Sequence, residues 1–256
     1  MSAVRDSLHE QFSGPDLDPE VWLASYLPHW SSRADAAAAY EVHDGELRLT
    51  IPAEHPLWCP EDHEEPLRVS CVQTANWSGP VGSTLGPQPF RRGLTVREAQ
   101  GEWWGYTPTY GDIEVRMRGV VSPRSMVAFW MSGIEDVPDR SGEICVAEIF
   151  GDAVRDGSAD VGVGVKRFRD PALRQEFSTV RLRLDVAAFN TYAVEWRPDS
   201  LVFAVNGAVV RRIDQAPDYP VQLMIGVFDF PAKSIGDDDA LVPELVVTHV
   251  RGRPTA

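Results

Sequence analysis

The sequence predicts an all-β fold, and three observations carry that expectation. Runs such as Glu46–Ile51 and Gly111–Arg118 alternate apolar and polar residues with the period of two that a half-buried strand requires. Turn chemistry separates such runs, most plainly at Asn206-Gly207. This pair stands between Leu201–Val205 and Ala208–Val210 and is what a type I′ hairpin turn prefers. The chain holds 20 glycines, 20 prolines and 8 tryptophans in 256 residues. That composition suits many short strands, with aromatic side chains to spare for a binding surface. A chain of this length can bury a sizeable core. No internal repeat, low-complexity linker or shift in composition marks a second domain, so residues 1–256 read as one domain.

Taken in order, residues 11–31 are turn-rich and aromatic. The alanine run Ala36–Ala39 has helical propensity, ended by Asp44-Gly45. In Glu46–Ile51 the side chains of Leu47, Leu49 and Ile51 share the core face. His55, Cys59 and His63 recur every four residues and invite a zinc site. Pro56 and Pro60 oppose the helix that would align them, and only Cys71 or Glu64 is near enough to serve as a fourth ligand. The better reading is a proline-stiffened loop with no metal, in which Trp58 is a stacking platform for a ligand or an anchor. Leu67–Thr74 is a strand. Trp103-Trp104 follows a glycine-rich loop, and a tryptophan pair in a strand sends one ring to each face, so one of the two should reach a cleft. In Tyr110–Arg118, Ile113, Val115 and Met117 oppose the charged row of Asp112, Glu114, Arg116 and Arg118. Such a row faces solvent or, on a concave sheet, can hydrogen-bond sugar hydroxyls. Ser125–Met131 and Phe189–Asp199 are further strands, Tyr219–Phe228 is apolar on both faces, and Glu244–Val250 is the last strand.

The run Gly142–Gly151 stands apart because it sets two carboxylates, Glu143 and Glu148, in an apolar stretch. Strict alternation would place them on opposite faces and bury Glu148 in the core, which is costly for an unpaired acid. A β-bulge near Val146-Ala147 returns Glu148 to the face of Glu143 and Cys145. Two carboxylates so placed, roughly 5 Å apart, suit a glycosidase that retains anomeric configuration.

Glu-Ile-Cys-Val-Ala-Glu over 143–148 resembles the Glu-x-Asp-x-x-Glu signature of glycoside hydrolase family 16, the laminarinase-like endo-β-glucanases. Further likenesses follow in the expected order: Tyr110-Gly111 through Arg116, Ala128-Phe129-Trp130, Phe189 to Trp196, and the Asn-Gly hairpin. The resemblance covers roughly residues 11–251. It implies an antiparallel β-sandwich of jelly-roll, concanavalin A-like type with a concave cleft. It also implies Glu143 as nucleophile, Glu148 as acid/base and Trp130 in the cleft near the cleavage point. Trp103, Trp104, Tyr110 and Arg116 are the other expected substrate contacts. The likeness departs at Cys145, which stands where the family usually has aspartate; a neutral thiol carries no charge and is a poorer hydrogen-bond partner.

The formal net charge of −14 argues against nucleic acid or an anionic membrane as partner. The three cysteines, Cys59, Cys71 and Cys145, are not a disulfide framework. The first ten residues lack an apolar signal core and no run is long enough to span a bilayer, so a soluble, cytoplasmic monomer is expected. The expected ligand is a polysaccharide or oligosaccharide. The expected activity is endo-acting hydrolysis of a β-1,3- or mixed-linked glucan, with transglycosylation as a further outlet. No cofactor is implied, and a calcium ion, which the resemblance would allow, has no readable ligand set. Two other classes remain open: a non-catalytic carbohydrate-binding protein on the same scaffold, and a protein with no sugar ligand.

Overall fold

The computed structural model describes residues 5–236 and 240–255. The first four residues of the N-terminal stretch considered above therefore lie outside it. Two antiparallel sheets pack face to face. One runs in the order Ala208–Ile213, Ser200–Val205, Asn190–Arg197, Gly111–Val120, Glu244–Arg253, Glu46–Thr50, Ala39–His43, with Leu8–Glu10 also paired to Glu244–Arg253. The other runs Val154–Arg155, Ser158–Lys166, Glu143–Phe150, Ser125–Gly133, Val221–Asp229, Arg68–Gln73, with Glu176–Leu182 also paired to Ser158–Lys166. Non-consecutive neighbours within each sheet give the jelly-roll crossovers. Among the described residues helical structure is confined to three short 3-10 turns, and no helix is long and apolar enough to cross a membrane.

The core between the sheets is built as alternation requires. Leu47, Leu49, Ile113, Val115, Met117 and Trp196 point inward from the first sheet, against Val127, Phe129, Met131, Ile144 and Ile149 from the second. A second apolar cluster lies on the opposite face of the Glu143–Phe150 sheet. There Trp30, Trp58, Cys59, Cys71, Met126, Ala128, Trp130, Met224 and Phe228 pack beneath the segments that cover the sheet. This double coverage explains why Ser125–Gly133 and Val221–Asp229 are buried along their whole lengths. The apolar strand begins at Val221, just after Pro220.

The expectations for the alanine run and for Arg116 in the charged row are corrected, and the loop residues His55 to His63 are placed. Ala36–Ala39 does not start a helix: Asp44 and Gly45 hold φ of 53° and 78° and close a two-residue hairpin, so Ala39–His43 is a strand paired to Glu46–Thr50. Asn206 and Gly207 do the same at the expected hairpin, with φ of 50° and 79°. His55, Cys59 and His63 do not converge on a metal. His55 Nε2 bonds the Val69 carbonyl, His63 Nδ1 the Glu65 carbonyl, and the Cys59 thiol donates to the Trp30 carbonyl. Trp58 is an anchor, buried with its indole N–H on the Tyr26 carbonyl. The charged row of Asp112, Glu114, Arg116 and Arg118 lies on the outer side of the first sheet, away from Glu143 and Glu148. Alternation assigned those residues to one face, and the strand's place in the other sheet decides which surface that face meets.

One buried histidine ties the covering segments together. The Pro87 carbonyl accepts from His29 Nε2 at 3.1 Å and from Trp30 Nε1 at 2.8 Å, while His29 Nδ1 has no partner among the described residues. Burial pushes the imidazole down to about 3, outweighing the bond to Pro87. Its folded value lies below its unfolded one, so its contribution is fully present above about pH 6.5 and is lost as pH falls towards 3. Thermal unfolding should therefore show His29 alone costing about 2.5 kcal/mol of stability between pH 7 and pH 4.5, a loss absent from His29→Gln. Equal pH dependence in the two proteins would show that the imidazole is not held neutral.

Candidate active site

The strand Glu143–Phe150 carries an irregularity at Val146. Opposite Ser125–Gly133, Phe129 pairs with Ala147 and Trp130 with Cys145, which leaves Val146 unpaired. On the other side Gly162 pairs with Glu148 and Gly164 with Cys145. Two residues facing one is the mark of a bulge. Its consequence is that Val146 and Ala147 both reach the core, while Glu143, Cys145 and Glu148 share the opposite face. The donor atoms of these three side chains lie within 4.8 Å of one another.

Glu143 is buried and Glu148 half-buried. The strand start is fixed by Tyr219, whose hydroxyl accepts the Gly142 N–H at 2.7 Å and donates to Asp170 at 2.5 Å. Gly142 leaves room for this contact: a Cβ there would come within 2.6 Å of that hydroxyl and 2.4 Å of the Leu173 side chain, both of which would have to shift. The Cys145 thiol donates to Glu143 Oε1 at 2.8 Å. Burial, then the Glu143 charge, push that thiol well above its usual range, so it is neutral. Gln88 Nε2 donates to Glu143 Oε2 at 2.7 Å. Lys166, in register with Glu143 on the neighbouring strand, places its ammonium 3.2 Å from Glu143 Oε1 and 2.6 Å from Glu148 Oε2. Burial by itself would push the ammonium down; the charges of Glu143 and Glu148 outweigh it and hold it above its ordinary value. Among the described residues Glu143, Cys145 and Glu148 form the one group with metal-type donors, and Lys166 occupies the cation's place between them.

Gln88 reaches the site from a loop and not from a sheet. Its φ is 52°, its N–H donates to Glu135 Oε1 at 2.7 Å, and buried Glu135, with φ of 58°, pairs with Arg169. With Pro87 held by His29 and Trp30, residue 88 is anchored on both sides. Glu143, Glu148, Gln88 and Lys166 line one pocket of about 240 Å³, whose walls are Tyr26, Pro89, Phe90, Met126, Ala128, Trp130, Phe168 and Phe228. Trp130 and Phe228 stand 5.8 Å apart by ring centroid, and Tyr26 meets Phe228 edge-on at 5.5 Å. Aromatic walls beside carboxylates offer stacking surface to sugar C–H faces and hydrogen bonds to hydroxyls.

Of the residues singled out from sequence, the structure brings together Glu143, Cys145, Glu148 and Trp130. It leaves four outside this pocket. Trp103 and Trp104 form a two-residue strand on Ala75–Asn76, with the Trp104 indole on Glu102. Tyr110 packs edge-on against Trp196, and Arg116 bonds Thr248 and lies over Phe189. The tryptophan pair belongs to this small separate ribbon, and neither ring lines the pocket around Glu143 and Glu148. Sequence reasoning missed Lys166, Gln88, Tyr26, Phe90 and Phe228. Lys166 had a readable signal: it is the first cation after the apolar run Val161–Val165, followed by Arg167 and Arg169.

Comparison with known proteins adds the following. Residues 106–235 match the model of glycosyl hydrolases family 16. The chain is similar to the GlcNAcα1-4Gal releasing endo-β-galactosidase from Clostridium perfringens, at 25% identity and a TM-score of 0.81 over 96% of this chain and 60% of that one. It thus spans 60% of that enzyme's length. It shares its fold with the laminarinase from Flavobacterium sp. UMI-01, at 19% identity and a TM-score of 0.66 over 96% and 98% of the two chains. It also shares it with the laminarinase catalytic domain from Thermotoga maritima, at 15% identity and a TM-score of 0.65 over 97% of each chain. No curated protein sequence matches the chain.

Cys59, Cys71 and Cys145 are all buried and free, and burial raises each thiol. A thiol-reactive dye should leave the native protein unlabelled at pH 7.5 and count all three after denaturation. Rapid native labelling of Cys145 would show that the thiol is not shielded as described.

Proposed function

The chain belongs to glycosyl hydrolases family 16, and from that premise we propose that it is an endo-acting hydrolase of β-linked polysaccharides that retains anomeric configuration. The observation that carries this reading is the bulge at Val146, which leaves two carboxylates on one face at the spacing of a double displacement. Glu143 attacks the anomeric carbon while Glu148 gives a proton to the departing oxygen. Glu148 then takes a proton from the water that cleaves the glycosyl ester. The burial of Glu143 and its three donors suit a carboxylate that must stay in one orientation. The greater exposure of Glu148 suits a group that meets first the leaving sugar and then water.

The substrate follows from the walls and the likenesses. Trp130, Phe228, Tyr26 and Phe90 supply stacking surface for a β-linked chain. The sequence pointed to a β-1,3- or mixed-linked glucan, and the fold shared with laminarinases supports it. The greater similarity to the Clostridium perfringens endo-β-galactosidase supports a galactose-containing chain ahead of it. Cys145 favours a second reading, in which the protein binds such a chain without cleaving it.

Incubation with β-1,3-, mixed-linked and galactan polysaccharides, following new reducing ends, tests both. Cleavage of one polymer is expected, with Glu143→Gln and Glu148→Gln each slower by at least about 10²-fold and binding retained. Near-wild-type rates in either variant would sink the mechanism. Tight binding without cleavage, unchanged in Cys145→Asp, would establish the binding protein instead.

A further inference from the structure

The signature that Glu143–Glu148 resembles puts a third carboxylate between the two glutamates, and this chain has a thiol there. A thiol that donates to Glu143 Oε1 supplies a hydrogen bond but no charge. The charge at the site comes from elsewhere. Lys166 lies across the two glutamates, 3.2 Å from Glu143 Oε1 and 2.6 Å from Glu148 Oε2. Its ammonium lies over the ring of Phe177, 4.7 Å from the centroid, a contact that limits where the cation can move. Opposite Glu148 and Cys145 the same strand has Gly162 and Gly164, so no side chain stands between Lys166 and the pair.

We propose that Lys166 is a third catalytic residue of this site, a cation that follows the negative charge as it passes from one glutamate to the other. The role rests on the double displacement proposed above. When Glu143 attacks, its carboxylate oxygen forms a bond to the anomeric carbon and the C–O bond to the leaving sugar breaks. The leaving oxygen takes the proton of Glu148. The negative charge has then left Glu143, now a neutral ester, and resides on Glu148. In the second step Glu148 takes a proton from water, the water oxygen bonds to the anomeric carbon, and the ester bond breaks. The charge returns to Glu143. At each stage one of the two carboxylates is charged, and Lys166 is within hydrogen-bonding reach of both without a change of backbone. A middle aspartate would face a carboxylate at every stage and would need a proton of its own. A neutral thiol with a bridging ammonium needs none.

The groups that face Lys166 are Glu143, Cys145 and Glu148 on the adjacent strand, Tyr26 and Gln88 across the pocket, and the uncharged Phe177 beneath it. The test is steady-state kinetics of the wild type, Lys166→Met and Lys166→Arg on the polysaccharide cleaved by the wild type, with thermal unfolding as the control for folding. Lys166→Met should lower kcat roughly 10²-fold with KM changed less than about threefold, and should displace the pH–rate profile. Lys166→Arg should recover part of the rate. In the Lys166→Met background, Cys145→Asp should restore about tenfold, because it returns a titratable group to the middle of the run. If Lys166→Met does not fold, Lys166→Gln is read in the same way. A folded variant without the cation, with kcat and pH profile like the wild type, overturns the role of Lys166 and leaves the two-glutamate mechanism standing. An inactive wild type overturns that mechanism, and the role of Lys166 with it.

Discussion

One unpaired residue holds the site together. Without the extra position at Val146, Glu148 would follow strict alternation into the core between the sheets, among Val127, Phe129 and Ile144. Burying a charge there without a partner costs far more than a local break in pairing. With it, Val146 and Ala147 fill the core side together and the acids meet on the cleft side. The glycines of the neighbouring strand accommodate the result. A Cβ at Gly162 would crowd Glu148 and the Phe177 ring, and Gly164 has a φ of 137° that favours glycine. The bulge, the facing glycines and the shared acidic face are one local solution spread over two strands.

Around that solution the charges are arranged economically. Two carboxylates this close repel each other when both are charged, and the proposed mechanism charges only one of them at a time. Here an ammonium lies between them, a thiol and a side-chain amide complete the donors to Glu143, and aromatic side chains wall the pocket. Where the surroundings are less polar than water, each of these contacts is stronger than on an exposed surface. The thiol gains nothing from ionising, since burial and the Glu143 charge both oppose a thiolate.

Much of this is legible in the amino-acid sequence. The hairpin at Asn206-Gly207, the inward set Leu47, Leu49 and Ile113, and the bulge itself follow from period-two patterning and from the cost of a buried acid. What patterning cannot tell is which sheet a strand joins. Arg116 and Glu143 both lie on alternating strands, yet one faces outward from the far sheet and the other faces the cleft. Short pieces carry too little pattern to place, as Trp103-Trp104 shows. Asp44-Gly45 was readable as a hairpin turn, and the helical propensity of four alanines obscured it. Lys166 becomes meaningful only with the register that sets it opposite Glu143, and Gln88 only with the loop that carries it.

That loop has a consequence for how such a protein can diversify. In a sandwich of this kind, loops vary more readily than strands and are the usual means of changing which sugar is accepted. Here Pro89 and Phe90 line the pocket, the preceding residue holds an oxygen of Glu143, and the residue before that is tied to His29 and Trp30. Recognition and reactivity therefore share one short piece of backbone. Replacing the loop whole would also remove the hold on the carboxylate, whereas a change at Phe90 alone alters the wall and leaves the frame of Pro87 and Gln88 in place.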